Sequence, residues 1–236
     1  MSEYSGHENL ETATKRKNFT KWVFDVVSPA LKGNILEVGS GLGTFSEHII
    51  QRFPESLITL SDVSPTYVKN LEERFGSSRV DAYKLDLNDP EDFRKISHKK
   101  FDSIIAINVL EHIEDDKMAL RQLHDLLSVG GTLVILVPAN KFLYNVIDKS
   151  IGHWRRYTKD ELRAKVKECG FGTDEVFSFN ILGMVGWYIN GNVCKNPVIN
   201  KQASGVFDKL VPAMRIIEKL LGRKIGLSVI CFAKKA

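Results

Sequence analysis

Residues 35–45 read ILEVGSGLGTF: an apolar run, three alternating glycines and the opening of a helix. Such a turn passes close beneath a ligand, because glycine leaves the backbone bare and free to take positive φ. The dinucleotide-binding turn reads GxGxxG, with the pyrophosphate on the helix N-terminus. Here the glycines are Gly39, Gly41 and Gly43, and Thr44 stands where the third glycine of that pattern would be. No Gly-Lys-Ser/Thr follows, which excludes a phosphate-binding P-loop. Three acids accompany the turn. Glu37 interrupts an otherwise apolar strand two residues before Gly39, a costly place for a carboxylate without a partner. Asp62 closes the next apolar segment, nineteen positions after Gly43, where a carboxylate can accept the hydroxyls of a ribose. Asp86 closes the third, in KLDLND, within reach of a purine amino group. Acids in this order at successive strand ends mark the rim where open α/β sheets bind ligands.

Outward from the turn, strand-like and helix-like stretches alternate. Ile35–Val38, Leu57–Ser61, Val80–Leu85, Asp102–Ile107 and Thr132–Val137 are short and apolar, as in a parallel sheet covered on both faces. Ser64-Pro65 opens a helix over Thr66–Phe75, and Asp115–Leu127 has apolar residues at helical spacing. Thr158 and Glu161 form a capping box for a helix that stops at Gly170. Glu175–Phe179 and Leu227–Ala233 predict a sixth and a seventh strand, with an insertion over 180–226 between them. This is the pattern of one doubly wound α/β domain spanning 1–236.

Bulk properties narrow the function classes. The chain has 236 residues, 43% hydrophobic and 26% charged, an ordinary globular composition. A net charge of +4, from 33 basic and 29 acidic residues well interspersed, predicts no nucleic-acid partner. Cys169, Cys194 and Cys231 show no paired or metal-ligand spacing, which suits a reducing compartment. With a polar N-terminus and no apolar run near the ~20 residues of a bilayer span, the expected location is cytoplasmic.

Taken in order, ILEVGSGLGTF, LSDVSP, KLDLND, FDSIIAINVLEHIEDD and GGTLVILVPA resemble the motif set of the class I S-adenosylmethionine-dependent methyltransferases, from Asn34 to about Ala139. The resemblance implies a Rossmann-like seven-stranded sheet of order 3-2-1-4-5-7-6, with the seventh strand antiparallel. Helices would cover both faces, and a helical insertion would precede the last strand. It divides the chain into N-terminal lid helices (1–30), a cofactor-binding half (31–139) and an acceptor-side half (140–236). The implied cofactor is S-adenosylmethionine, which has no pyrophosphate and so needs no third glycine in that place. By motif match, Gly39, Ser40, Gly41 and Gly43 line its methionyl end. Asp62 holds the ribose, Asp86 and Leu87 face the adenine, and Val63 is a further cofactor contact. Asn108 and Val109 present backbone to the amino-acid head, while Glu37 orients the turn or the ammonium.

Methyl transfer needs an acceptor at near-attack distance and, for oxygen or nitrogen, often a base. Histidine titrates nearest neutrality, which makes His112 and His153 the candidates, with Tyr144 beside them. His112 ends NVLEH. Similar stretches in ubiquinone-biosynthesis O-methyltransferases bind a divalent metal through a Glu-His pair and an acid three residues before the Glu. Asn108 occupies that position here, so no metal is expected. Glu111 and His112 have a second reading, as residues that cap and orient the helix after strand four. His153 belongs to GHWRRYT, on the connection leaving strand five. There Arg155, Arg156 and Tyr157, with Trp187 further on, form a candidate pocket for an acceptor with an anionic group. The alternative is that the arginines pair with acids and the aromatics pack under the loop.

PANxxLYNxxD, GHxRRYT, CGF and FNILGMVGWYING also resemble a bacterial and archaeal group of methyltransferases found with glycosyltransferases of surface-glycan assembly. In that group Tyr4 to Trp22 would be a lid helix, closing through Tyr4, His7 and Glu8. The expected function is O-methylation of a small-molecule or glycan-type, lipid-linked acceptor. Its rivals are N-methylation of a small amine, and cofactor binding without turnover. The apolar stretch Phe179–Trp187 reads as a helical cap or a dimer face, ahead of an acceptor groove or membrane contact. The chain is expected to be a monomer or homodimer.

Overall fold

The computed structural model describes residues 14–198 and 201–236. The expected lid residues Tyr4, His7 and Glu8 lie outside that range. Seven strands form one sheet: β1 (Ile35–Val38), β2 (Ile58–Asp62), β3 (Val80–Lys84), β4 (Phe101–Ile107), β5 (Leu127–Pro138), β6 (Phe171–Phe179) and β7 (Ser228–Lys235). Their order is β3-β2-β1-β4-β5-β7-β6. The first five run parallel, and β7 is antiparallel to both β5 and β6. The architecture is the one implied by the motifs. The sixth strand is longer than its apolar residues suggest. It begins at Phe171 and carries the polar residues 172–174 along β7, with a register shift between Thr173 and Glu175.

The helices are α1 (Lys17–Val27), α2 (Thr44–Arg52), α3 (Pro65–Phe75), α4 (Pro90–Ile96), α5 (Asp116–Leu126), α6 (Val146–Ser150), α7 (Lys159–Glu168), α8 (Ile181–Tyr188) and α9 (Lys201–Leu221). Their starts follow local chemistry. Ser64 accepts from the Tyr67 amide ahead of Pro65, and the Thr158–Glu161 capping box closes in both directions. Alternation along the strands sorts the core into two layers. Leu36, Val38, Ile104, Ala106, Leu133 and Ile135 face one layer, with Leu120, Leu123, Leu162 and Val166 from α5 and α7. Ile35, Leu60, Ile105, Val134 and Ile230 face the other, with Trp22, Val23, Ile49 and Met214 from α1, α2 and α9. Glu37 falls on the second face by the same alternation, against α2.

The insertion is mostly helix. The only two acids of α9, Asp208 and Glu218, are buried, although much of its outer surface is aliphatic. Each holds the start of another helix. Asp208 accepts from the amides of Asn18 (3.2 Å) and Phe19 (2.8 Å), at the N-terminus of α1, which has no side-chain cap of its own. Glu218 accepts from the amides of Asn180 (2.8 Å) and Ile181 (2.9 Å), at the start of α8. Helix N-termini attract negative charge and leave amides unpaired, so α9 stabilises two helices remote from it in sequence. Glu218→Ala strands both buried amides and is expected to destabilise the fold by about 2–4 kcal/mol. Glu218→Gln, which keeps one acceptor, should lose less. Urea unfolding of the two variants checks the order.

Candidate active site

The turn after β1 takes positive φ at Gly39 (71°), Gly41 (52°) and Gly43 (76°). At Gly39 a side chain is excluded twice, because an added Cβ would also stand 2.5 Å from Val109 Cγ2. The turn is held from beneath. Ser40 donates its amide to the Ser61 carbonyl (2.8 Å), and the Ser61 hydroxyl donates to the Glu37 carbonyl (2.9 Å). Ser46, in the first turns of α2, donates its hydroxyl to Glu37 Oε2 at 2.5 Å. Burial raises the Glu37 carboxyl to about 7, against the pull of that hydrogen bond. Asp62 accepts from the amides of Gly41 and Ser64, both at 2.9 Å. It braces the turn and brings a carboxylate to the end of β2.

The remaining predicted cofactor contacts line the same rim. Val63 is 52% exposed beside Asp62, an open apolar side chain of the kind a purine or ribose covers. Leu87 is buried, while Asp86 accepts from the amide and the side chain of Asn88. Asn108 ends β4 in a left-handed conformation (φ 53°) with its amide on the Leu136 carbonyl. β1 and β4 are the neighbours between which the strand order reverses, the position where doubly wound sheets bind their ligands. Gly39 faces Val109 across that crevice. Bare glycine backbone, a braced carboxylate and an open valine fit the methionyl, ribose and adenine parts of S-adenosylmethionine.

On the other side of Val109, the 3₁₀ turn Leu110–His112 receives the loop after β5. Trp154 donates its amide to the Glu111 carbonyl (2.9 Å), and the Tyr157 hydroxyl reaches the Leu110 carbonyl (3.3 Å). This docking brings together the two histidines that the sequence could not rank. His112 and His153 lie edge to face, ring centres 4.7 Å apart. His153 Nδ1 is 2.8 Å from Asp148 Oδ1, and a carboxylate can only accept, so that nitrogen donates and leaves Nε2 facing Glu111. Nε2 is 3.7 Å from Glu111 Oε1. Burial lowers His112 to about 4, with the nearby His153 adding to the effect. Burial raises the Glu111 carboxyl to about 8, although Arg156 pulls it back. Glu111 is fully buried, and neither of its oxygens has a hydrogen-bond partner.

The residues expected to meet an acceptor are differently employed. Arg156 is buried, with Nε on Asp148 (2.9 Å), Nη1 on the Ala139 carbonyl (3.0 Å) and its guanidinium 4.8 Å from the Trp187 ring. Tyr157 is buried and donates to Asp116 (2.8 Å). Arg155 bonds Asp116 and the Glu114 carbonyl, and Tyr144 donates to the His153 carbonyl (2.8 Å). The guanidinium forks are thus turned onto the protein's own groups, where the sequence reading aimed them at an anionic acceptor. Buried acids explain this. Asp148 and Asp116 sit under the loop and must be paired. Asp148 closes the LYNxxD stretch of the sequence, which gave it no role of its own; only the fold puts His153 and Arg156 on it.

The chain is similar to known methyltransferases in sequence and fold. Residues 36–133 match the family model of a methyltransferase domain. Two malonyl-[acyl-carrier protein] O-methyltransferases of Ilyobacter polytropus are similar. One is 32% identical over 136 residues (55% of this chain, 49% of that protein), the other 36% over 119 residues (50% and 44%). The matched stretch thus spans about half the length of these relatives. Among solved structures, a SAM-dependent methyltransferase from Archaeoglobus fulgidus has a TM-score of 0.62 at 18% identity, with 93% of this chain and 94% of that one covered. A Haloferax volcanii methyltransferase solved with its Trm112 activator has a TM-score of 0.63 at 12% identity, covering 99% and 97%.

The raised Glu37 carboxyl gives a pH dependence of known sign. An acid whose folded value exceeds its unfolded one binds protons more tightly when folded, so stability falls as pH rises between the two. The ligand-free protein should lose on the order of 3 kcal/mol from this group between the ordinary carboxylate range and about 7. Glu37→Gln should flatten that part of the profile in urea unfolding across pH 4.5 to 8.

Proposed function

With the chain placed among the class I S-adenosylmethionine-dependent methyltransferases, we propose that it methylates an oxygen of a small-molecule or glycan-type acceptor. The observation that carries the proposal is the adjacency of two sites. Gly39 of the cofactor turn faces Val109, and the next three residues lead into the buried group of Glu111, His112 and His153. A cofactor end and a proton-handling cluster on one crevice are what transfer to a hydroxyl requires.

The bound cofactor supplies an electrophilic methyl on a sulfonium centre. Asp62 holds the ribose and the glycine turn the methionyl part, with Val63 and Leu87 against the adenine. Asp148 fixes the His153 tautomer through Nδ1, which turns the basic Nε2 toward Glu111 and the crevice. His153 then accepts the acceptor's proton, and Tyr144 positions it through its carbonyl. His112, packed against the same ring, is the second candidate for that role. Arg155, the more exposed of the two arginines, is the candidate for an anionic group on the acceptor, which it would meet only by releasing Asp116. Arg156, Tyr157 and Trp187 serve it by fixing the loop. The O-methyltransferase names of the two Ilyobacter relatives support oxygen as the methylated atom.

Isothermal titration with S-adenosylmethionine and with its demethylated product tests the cofactor half. Both should bind in the micromolar range, and Asp62→Ala should weaken both at least tenfold. No binding to folded protein would overturn the reading. His153→Ala is expected to lower turnover by ~10²-fold or more at nearly unchanged cofactor affinity. Unaltered turnover on an amine substrate would point to N-methylation, which can proceed without this base.

A further inference from the structure

Glu111, His112 and His153 each offer one ligand atom, and these atoms lie within 4.8 Å of one another. The Glu111 carboxyl is fully buried with both oxygens orphaned. A buried polar group left unmade costs about 1–3 kcal/mol, more when charged, and native structures seldom carry one without a reason. The neighbouring donors are committed elsewhere: Arg156 to Asp148 and the Ala139 carbonyl, Tyr144 to the His153 carbonyl, Tyr157 to Asp116. His153 Nε2 stands 3.7 Å from a Glu111 oxygen, beyond hydrogen-bond distance, so a ligand or ion bound between them would satisfy both. The imidazoles beside it are already aimed. His153 gives Nδ1 to a carboxylate and presents Nε2, the arrangement by which histidine ligands are oriented on a metal. His112 is held by a hydrogen bond to the Gly152 backbone.

We propose that Glu111, His112 and His153 bind a divalent transition-metal ion. Two imidazoles and one carboxylate are a donor set that zinc and iron(II) both take, and they leave a coordination position open. Ligand atoms on one zinc stand roughly 3.3 Å apart; Glu111 Oε1 and His153 Nε2, at 3.7 Å, are nearly there. Asn108 at the first position of the NVLEH stretch argued against a metal in the sequence. The fold supplies a ligand from elsewhere, His153, on a loop docked against the Glu-His pair. The role of the ion rests on the oxygen-acceptor reading. In the open position it would hold the acceptor hydroxyl and lower its pKa, as zinc does for bound water, and His153, with Nε2 on the ion, would act as a ligand rather than as a free base. Binding of the ion does not depend on that reading.

The test strips the purified full chain with a chelator and titrates it with Zn²⁺ by calorimetry and with Co²⁺ by visible absorption. One equivalent should bind, with a Co²⁺ spectrum of low coordination number. Glu111→Gln and His153→Ala should each lower affinity at least tenfold, and Asp148→Asn by ~10- to 100-fold through the orientation of His153. Titration with S-adenosylmethionine, expected to be undiminished in all three variants, shows that they remain folded. No uptake by the wild-type chain, or uptake undiminished in Glu111→Gln and His153→Ala, overturns the proposal and leaves His153 as an unassisted base. Metal uptake without cofactor binding would uphold the ion and fail only the methyl-transfer reading.

Discussion

The carboxylate of Asp148 holds the acceptor side of the molecule together. Oδ1 takes His153 Nδ1 and Arg156 Nε, and Oδ2 takes the Asn145 amide. Asp148 itself has zero exposure, and all three partners are buried. A buried carboxylate is tolerable only when paired and fully hydrogen-bonded, and here the pairing keeps Asp148 below the ordinary carboxylate range despite its burial. The same bonds that make the charge tolerable fix the ring of His153 and place Arg156 against Trp187. Stability and site geometry therefore rest on one group. Removing it would leave a guanidinium buried without its counter-charge.

The cofactor side follows the opposite logic. Its carboxylates, Glu37 and Asp62, are buried at strand ends with few partners, and burial raises both. Hydroxyls and amides, rather than cations, steady them: Ser46 for Glu37, the Gly41 and Ser64 amides for Asp62. Such groups keep hydrogen-bonding capacity in reserve for a ligand that brings donors of its own. One crevice thus joins a rim that awaits a ligand to a loop whose charges are already neutralised.

How much of this the sequence disclosed depends on range. The glycine turn, the acids at strand ends and the alternation of apolar strands are local signals; the doubly wound pattern followed from them, and the sheet order from the family resemblance that the same motifs carry. Interactions bridging remote segments left no local mark. Asp208 and Glu218 carry no local sign in the sequence, yet they cap α1 and α8 from within. Arg156 and Tyr157 read as a pocket because RRY is conspicuous beside a histidine. The acids that claim them, Asp148 and Asp116, lie 8 and 41 residues earlier. The meeting of Glu111 with His153 was equally hidden, since a ligand set drawn from two loops has no spacing to recognise.

Left-handed backbone recurs around the carboxyl ends of the strands, and the residue that adopts it decides how the space is used. After β1 it falls to Gly39, Gly41 and Gly43; after β4, β5 and β6 it falls to Asn108, Asn140 and Asn180. Glycine makes such a bend and leaves a vacancy, which suits a surface that another molecule must touch. Asparagine makes the same bend and fills the vacancy with a clasp. Asn140 donates its side chain to the Gly226 carbonyl at 2.7 Å, and Asn180 accepts from the Gly183 amide at 2.9 Å. Asparagine tolerates this conformation better than most residues, so exchange for glycine at 140 or 180 would preserve the path of the chain while unfastening the cap above it. The dihedral that opens the first half to a ligand latches the second half shut.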